Sequence, residues 1–271
     1  MGARPITFLS DYGSDDEFAG VCRAVIARLA PEAPVVDLTH GIRRHDVRQG
    51  AAVLANTLPY APAGVHLAVV DPGVGSPRRA VAVRVGDEDR MLVGPDNGLL
   101  ALAVERFGGA VEAADVSLSA VRLEPVSTTF HGRDIFAPVA AHLALGATPG
   151  ELGEPIEPGS LVGLELTAPA VESDARLAAQ VSHVDRFGNV VLLAGAEHAA
   201  DAGLRLGRAL TLEAREQRHE IAYALTFADL PADELLLYLG SFGNLTVAVN
   251  RASAAERLGL GPGDAVVLRP G

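Results

Sequence analysis

The chain has no lysine. Its 22 basic residues are all arginine, set against 34 acidic ones, for a formal net charge of −12 over 271 residues. Without lysine there is no Walker-type phosphate loop, no Schiff-base nucleophile and no lysine-dependent pyridoxal chemistry. The acidic balance argues against a surface for nucleic acid or anionic membrane. A single cysteine, Cys22, excludes an internal disulfide and a cysteine-rich zinc site. It falls on the apolar face of a predicted helix and reads as core. No apolar run reaches the length of a membrane span. Residues 1–5 lead directly into a predicted strand, so a soluble cytoplasmic protein is expected.

What is present is apolar and periodic. Hydrophobic residues make up 49% of the chain, enough for one large core or two modest ones. Residues 6–9 read as a buried strand that stops at Ser10-Asp11-Tyr12-Gly13. Beyond an acidic cap, Phe18, Val21, Cys22, Val25, Ile26 and Leu29 recur at helical spacing. Strands follow at 35–39, 65–70, 80–85 and 91–94, with helices at 46–58 and 99–107, the alternation of an α/β domain. Between residues 146 and 170, Pro149, Pro155, Pro158 and Pro169 fall among five glycines, and the domain boundary is placed there. Beyond it, short alternating segments at 177–184, 189–193, 210–214, 221–227, 235–239, 245–249 and 265–268 predict an all-β domain, a small barrel with a short helix at 253–258. The expected organisation is a Rossmann-like α/β N-terminal domain with a mostly parallel sheet over residues 1–160 and a β-barrel C-terminal domain over 161–271.

Several loops carry chemistry-bearing side chains. Asp11 follows a strand and precedes a helix, where a carboxylate can accept both hydroxyls of a ribose; a turn aspartate followed by a helix cap would look the same. Asp71-Pro72-Gly73-Val74-Gly75-Ser76 closes the third strand, with Arg78 and Arg79 close behind. Pro77 and the strand after it rule out a dinucleotide fingerprint for Gly73-Val74-Gly75. An opposite charge so near favours the ionised form of Asp71. The Thr-rich stretch 127–130 reads as an extended approach to His131-Gly132-Arg133-Asp134, after which residues 135–145 have helical spacing. That places His131 at the carboxyl end of a strand, where open α/β sheets bind ligands, although an ordinary loop hydrogen bond would also account for it. Asp37 and His40 have loose spacing and no third local ligand, so a structural role is expected there rather than a metal. In the β domain, Asp185-Arg186-Phe187-Gly188-Asn189 and Gly240-Ser241-Phe242-Gly243-Asn244 each combine an aromatic with polar groups, in a composition that hairpin turns also use.

Taken in order, Asp71 to Ser76, Pro95-Asp96-Asn97-Gly98-Leu99, Phe130-His131-Gly132-Arg133-Asp134 and Asp185 to Asn189 resemble the S-adenosyl-L-methionine (SAM) hydroxide adenosyltransferase family. This is the hydrolase branch of the superfamily that also holds the fluorinating and chlorinating enzymes. The resemblance runs from Ile6 to about Val267. It implies a homotrimer whose substrate lies between the N-terminal domain of one subunit and the C-terminal domain of its neighbour. It implies a hydrolytic trio of Asp71, Arg78 and His131, with Arg79 adjacent, so that the arginine assignment is open by one position. It further implies that Asp11 holds ribose, that Phe187, Asn189 and Phe227 surround adenine, that Asp185 and Ser241 hold the methionine end, and that Phe130 lies beside the reacting carbon. The pattern departs at His45, where the family usually has an aromatic, and at Phe242 and Val249, where the halogenating relatives have arginine. With Val249, backbone contacts are expected to serve the adenine.

The implied reaction is attack of water, as hydroxide, on the ribose C5′ of SAM, releasing methionine as a neutral thioether and adenosine. No cofactor is implied, because SAM is the substrate. The sulfonium needs no general acid, whereas free water, with a pKa of about 15.7, must be oriented and relieved of a proton. Asp71 and His131 both qualify as the base at this stage. A carboxylate at the nucleophile's position would repel a halide, so Asp71 separates hydrolase from halogenase chemistry. The competing readings are halogenase-type adenosyl transfer and a non-catalytic SAM or adenosine binding protein.

Overall fold

The computed structural model describes residues 2–271, which form two compact units, one ending at Leu164 and the other spanning Glu165–Gly271. The first unit runs β1 (Ile6–Ser10), α1 (Phe18–Leu29), β2 (Val35–Thr39), α2 (Val47–Thr57), β3 (Val65–Val69), β4 (Ala80–Val85), β5 (Met91–Pro95), α3 (Ala101–Arg106), β6 (Ala110–Asp115), α4 (Ala137–Ala144), α5 (Pro149–Leu152) and β7 (Glu154–Pro155). Its strands make one sheet in the order β2-β1-β3-β5-β4-β6-β7. The pairings β1–β2, β1–β3 and β3–β5 are parallel, and β4 runs against both β5 and β6. Five of the seven strands therefore share one direction, and the sheet is mostly parallel.

Strands β1 and β3 are buried along their whole length, as strands covered by helices on both faces must be. Their side chains alternate between two cores. Ile6, Phe8, Val65, Leu67 and Val69 join Cys22, Ile26 and Leu143 on the face covered by α1 and α4. Leu9, Ala68 and Val70 join Leu54 and Ala103 on the face covered by α2 and α3. This period of two follows from the strand pleat. Parallel register pairs Ser10 with Val69, so Asp11 and Asp71 leave the sheet at the same edge.

The stretch before His131 is not a strand. Residues 117–130 form a chain of turns, because their backbone groups bond locally and to Asp134 instead of to a neighbouring strand. Ser119 N–H donates to the Val116 carbonyl, Leu123 N–H to the Asp134 carbonyl at 2.8 Å, and Ser127 N–H to the Asp134 carboxylate at 2.8 Å. The Asp134 carbonyl is open to Leu123 because the residue four positions on, Pro138, has no N–H to offer. The chain therefore enters α4 through a wide π-helical turn, Gly132–Phe136, with Ala137 N–H returning to the Gly132 carbonyl.

The second unit runs β8 (Ala170–Val171), β9 (Leu177–Val184), β10 (Val190–Gly195), α6 (Ala196–Asp201), β11 (Ala209–Ala214), β12 (Gln217–Tyr223), β13 (Leu235–Leu239), β14 (Asn244–Val249), α7 (Ala254–Leu258) and β15 (Ala265–Pro270). The strand order β10-β14-β13-β12-β11-β15-β9 is closed by a β9–β10 pairing, giving a seven-stranded barrel with β8 appended to β9. Closure removes the exposed sheet edges that an open β domain must protect. The predicted strand at 221–227 is displaced: β12 begins at Gln217, after a tight turn in which Arg215 and Glu216 both have positive φ. Phe227 instead starts a short 3-10 turn, Phe227–Asp229, held by the N–H groups of Leu225 and Thr226 on the Asp229 carboxylate, both at 3.0 Å. No helix among the described residues is long and apolar enough to cross a membrane.

Candidate active site

The loops after β1 and β3 and the turn that opens α4 meet at the carboxyl edge of the sheet, where a doubly wound fold places its ligands. Asp71, Arg78 and His131 come together there. Arg78 donates through Nε to Asp71 Oδ1 at 2.9 Å and through Nη2 to Asp71 Oδ2, forming a two-point ion pair. The same Nη2 lies 2.9 Å from His131 Nδ1. The Arg78 and Asp71 side chains are only 10% and 7% exposed, so the pair is largely withdrawn from solvent. The Phe136 ring lies 5.2 Å from the guanidinium carbon of Arg78 and backs it. Arg79 turns away to Asp96 Oδ2, at 2.8 Å from Nε, so Arg78 is the arginine that reaches Asp71.

The protonation of His131 follows from its partner. A guanidinium only donates, so His131 Nδ1 accepts and the ring proton of the neutral form sits on Nε2. Burial, with the positive charge of Arg78, holds His131 below the usual histidine value; the negative charges of Asp71 and Asp134 oppose this without reversing it. Near neutral pH His131 is therefore an uncharged ring presenting an N–H at Nε2.

Behind His131, Asp134 is buried and binds its neighbour Arg133 through two contacts of 2.6 and 2.8 Å as well as Ser127 N–H. Burial alone would raise its carboxyl, but these hydrogen bonds and the Arg133 charge bring it below the ordinary range. Gly132 is a glycine because the Tyr12 hydroxyl occupies the space a Cβ would need. Burial, then the charges of Cys22, Asp11 and Asp71, keep that hydroxyl protonated far above its usual range.

These groups open onto a cavity of ≈ 360 Å³ lined by Asp11, Tyr12, Asp16, Phe18, Arg44, His45, Val69, Asp71, Val74, Thr129, His131 and Gly132. Asp11 is fixed by the backbone N–H of His45, which reaches Oδ2 at 2.9 Å from a left-handed conformation with φ 66°. Phe130 packs its ring against Tyr12 at 5.9 Å and Phe18 at 5.1 Å and buttresses two lining residues. Asp37 and His40 form a structural network: His40 faces the Ser10 hydroxyl at 2.7 Å, and Asp37 takes Arg23 at 2.6 Å. Among the described residues no group of three or more His, Cys, Asp or Glu stands where it could hold a metal ion.

The barrel unit carries its own cavity of ≈ 630 Å³, lined by Asp185, Phe187, Asn189, Phe227, Tyr238, Val249 and residues 250–253. The 185–189 turn is self-braced. Both oxygens of Asp185 are engaged, Oδ1 by the N–H groups of Phe187 and Asn189 at 2.8 and 2.9 Å and Oδ2 by the Asn189 amide at 2.8 Å. The Phe187 ring stays 72% exposed above this turn, and Phe227 packs on Tyr238 at 5.0 Å. Five candidate residues so gather at one cavity, while Ser241 lies in the exposed turn between β13 and β14 and is not among its lining residues.

Sequence reasoning did not single out Tyr12, Asp16, Phe18 or Arg44. A usable signal was the scarcity of rings. The chain has eight phenylalanines and four tyrosines, and three of these twelve pack together at one cavity, Tyr12 and Phe18 in its lining and Phe130 against both but outside the lining.

Comparison with known proteins gives the family. The family model for the SAM hydroxide adenosyltransferase N-terminal domain matches residues 6–153, and that for the C-terminal domain matches residues 179–267. The chain belongs to the SAM hydroxide adenosyltransferase family. Among members of this family, it is 46% identical over 266 residues, 98% of each chain, to a protein of Salinispora tropica named (R)-S-adenosyl-L-methionine hydrolase. It is 41% identical over 272 residues, 98% of this chain and 99% of the other, to a protein of the same name from Thermus thermophilus. A crystal structure of an uncharacterized conserved protein from Thermotoga maritima superposes with a TM-score of 0.89 at 33% identity, covering 97% of this chain and 99% of that one. The Asp71–Arg78–His131 cluster lies in the stretch of this chain that matches the hydroxide adenosyltransferase N-terminal domain, and the barrel cavity lies in the stretch that matches the C-terminal domain.

Proposed function

We propose that this protein hydrolyses SAM to adenosine and L-methionine by attack of water at the ribose C5′. The observation that carries the reading is the Asp71–Arg78–His131 cluster on the wall of a cavity that also holds Asp11. Asp11 accepts the ribose hydroxyls and sets C5′ towards the cluster. His131, neutral with its proton on Nε2, donates to the oxygen of the attacking water and orients it. Its other nitrogen is occupied by Arg78, so His131 is not the base in this arrangement. Asp71 accepts the proton. The water oxygen bonds to C5′, the C5′–S bond breaks with its electron pair returning to sulfur, and methionine leaves as a neutral thioether. Arg78 stabilises the negative charge shared between Asp71 and the forming hydroxide. Attack of hydroxide on a sulfonium annihilates charge, and a site walled by Tyr12, Phe18 and Val74 excludes the water that would otherwise stabilise the separated charges.

Adenine and the methionine end belong, on this reading, to the barrel cavity of a neighbouring copy. Phe187 and Phe227 supply ring faces, Asn189 an amide, and Asp185 and Ser241 polar groups for the amino acid. The active form is a homotrimer, working in the cytoplasm and without a cofactor. What supports a site shared between copies is that the Asp71 cavity and the barrel cavity lie in different units and that the rings of Phe187 and Phe242 are exposed.

Chromatography of purified protein incubated with SAM, with and without excess chloride, tests the reading. Equimolar adenosine and methionine, unaffected by chloride, are expected. A 5′-chloro nucleoside would assign halogenase chemistry, and nucleoside retained on the protein without turnover would make it a binding protein.

A further inference from the structure

The motif Pro95-Asp96-Asn97-Gly98 contributes no residue to the lining of the cavity that holds Asp71 and His131, yet its side chains grip both segments on which the ion pair stands. Asn97 donates through Nδ2 to the carbonyl of Val70, the residue before Asp71, at 2.9 Å. Its Oδ1 takes Leu99 N–H at 3.1 Å, which fixes the amide's orientation. Asp96, whose side chain is 4% exposed, receives Arg79 through Nε at 2.8 Å and Nη2 at 2.5 Å, and receives Val162 N–H at 2.8 Å. Arg79 Nη1 continues to the Ser160 hydroxyl at 3.1 Å, and Asp96 N–H returns to the Arg79 carbonyl at 3.0 Å. Gly98, at φ +93°, lets the turn close beneath residues 163–164, which a Cβ would strike at 2.9 Å.

The consequence concerns two adjacent arginines of equal charge. Arg79 stands one residue from Arg78, and a second unpaired cation beside the ion pair would perturb it in a weakly screened site. We infer that Asp96 and Asn97 are positioning residues for the proposed hydrolysis: Asn97 fixes the strand end that carries Asp71, and Asp96 captures Arg79, so that Arg78 alone serves Asp71 and His131. This rests on the reading of Asp71, Arg78 and His131 as the reaction centre. It also gives the Pro95–Gly98 turn a role without placing any of its atoms against substrate.

The test compares wild type, Asp96→Asn and Asp96→Asn/Arg79→Gln as purified full-length proteins. Steady-state adenosine formation is measured together with the pH titration of the His131 ring resonance, assigned by its loss in His131→Gln. Asp96→Asn removes the charge that captures Arg79, leaving it the Ser160 hydroxyl and carbonyl, and is expected to lower kcat by about 10–100-fold, the scale of an ångström-level misplacement. KM should stay within about 2-fold, because no group that binds substrate is removed. The His131 resonance and its titration midpoint shift as a second guanidinium approaches. Removing that cation in the double variant returns kcat most of the way and restores the His131 titration. An Asp96→Asn protein with unchanged kcat and unchanged His131 titration overturns the inference, and so does a loss that the second substitution does not relieve, which would leave Asp96 a purely structural residue. Where Asp96→Asn fails to fold, Asn97→Ala carries the test, with a fall in kcat at constant KM expected and an unchanged kcat contradicting it. Wild-type protein that forms no adenosine would sink the hydrolase reading alone, since the His131 titration still reports whether Arg79 has moved.

Discussion

Removing Arg78 should separate what the ion pair does for stability from what it does for chemistry. Arg78→Ala leaves the Asp71 carboxylate, 7% exposed, without the two N–H donors that now hold it. Breaking a buried pair by deleting one partner costs roughly 3–5 kcal/mol, because the remaining charge stays desolvated. For a unit of this size each kcal/mol lowers the melting temperature by about 2–4 °C, so a fall of roughly 6–20 °C is expected. If the transition state loses a comparable interaction, kcat falls by about 10²–10⁴-fold, at ~1.36 kcal/mol per decade. Adding Asp71→Asn removes the stranded charge. The double variant should recover most of the lost melting temperature while hydrolysis stays abolished. Thermal unfolding followed by circular dichroism and chromatographic assay of adenosine read the two effects separately. A double variant no more stable than Arg78→Ala would mean that the pair is not an energetically coupled buried ion pair. Arg78→Ala with kcat close to wild type would remove the trio from the mechanism.

Two further outcomes follow from particular contacts. Gly132→Ala places a Cβ on the Tyr12 hydroxyl; overpacking of this kind costs about 1–3 kcal/mol and should lower both stability and kcat. Adding Tyr12→Phe removes the clashing oxygen and should rescue stability, and thermal melts of the two variants check this. His66, fully buried in β3, stands between the Thr7 hydroxyl at 2.8 Å and the Arg90 guanidinium at 3.1 Å. Burial, then the Arg90 charge, push it from its ordinary 6.5 down to about 3. Unfolded His66 therefore binds a proton over a range where folded His66 does not, and stability falls as pH drops from about 6.5 towards 3, by up to ~1.4 kcal/mol per pH unit. Urea midpoints measured across that range should show the slope, and His66→Gln should flatten it.

The placement of Asp11 and Asp71 was legible because a buried strand ended by a polar turn is a local signal, and parallel register then sets the two ends side by side. The choice between Arg78 and Arg79 was not legible. It depends on Asp96, which is remote from both in sequence and pairs with Arg79 only once β4 and β5 lie together. The β propensity of Ser127, Thr128 and Thr129 misled, because the buried Asp134 carboxylate claims Ser127 N–H and leaves no ladder to join. In the barrel, the start of β12 was hidden by its polar residues Gln217, Arg218 and Glu220, which face outward and break the apolar run. The tautomer of His131 is beyond any sequence signal, since it follows from one contact with a group that can only donate.

The most direct measurement is hydrolysis of SAM in H₂¹⁸O with mass analysis of both products. Attack at C5′ by water held between Asp71 and His131 predicts one ¹⁸O in the 5′-hydroxyl of adenosine and none in methionine. Adenosine without the label, or no adenosine at all, would contradict the account.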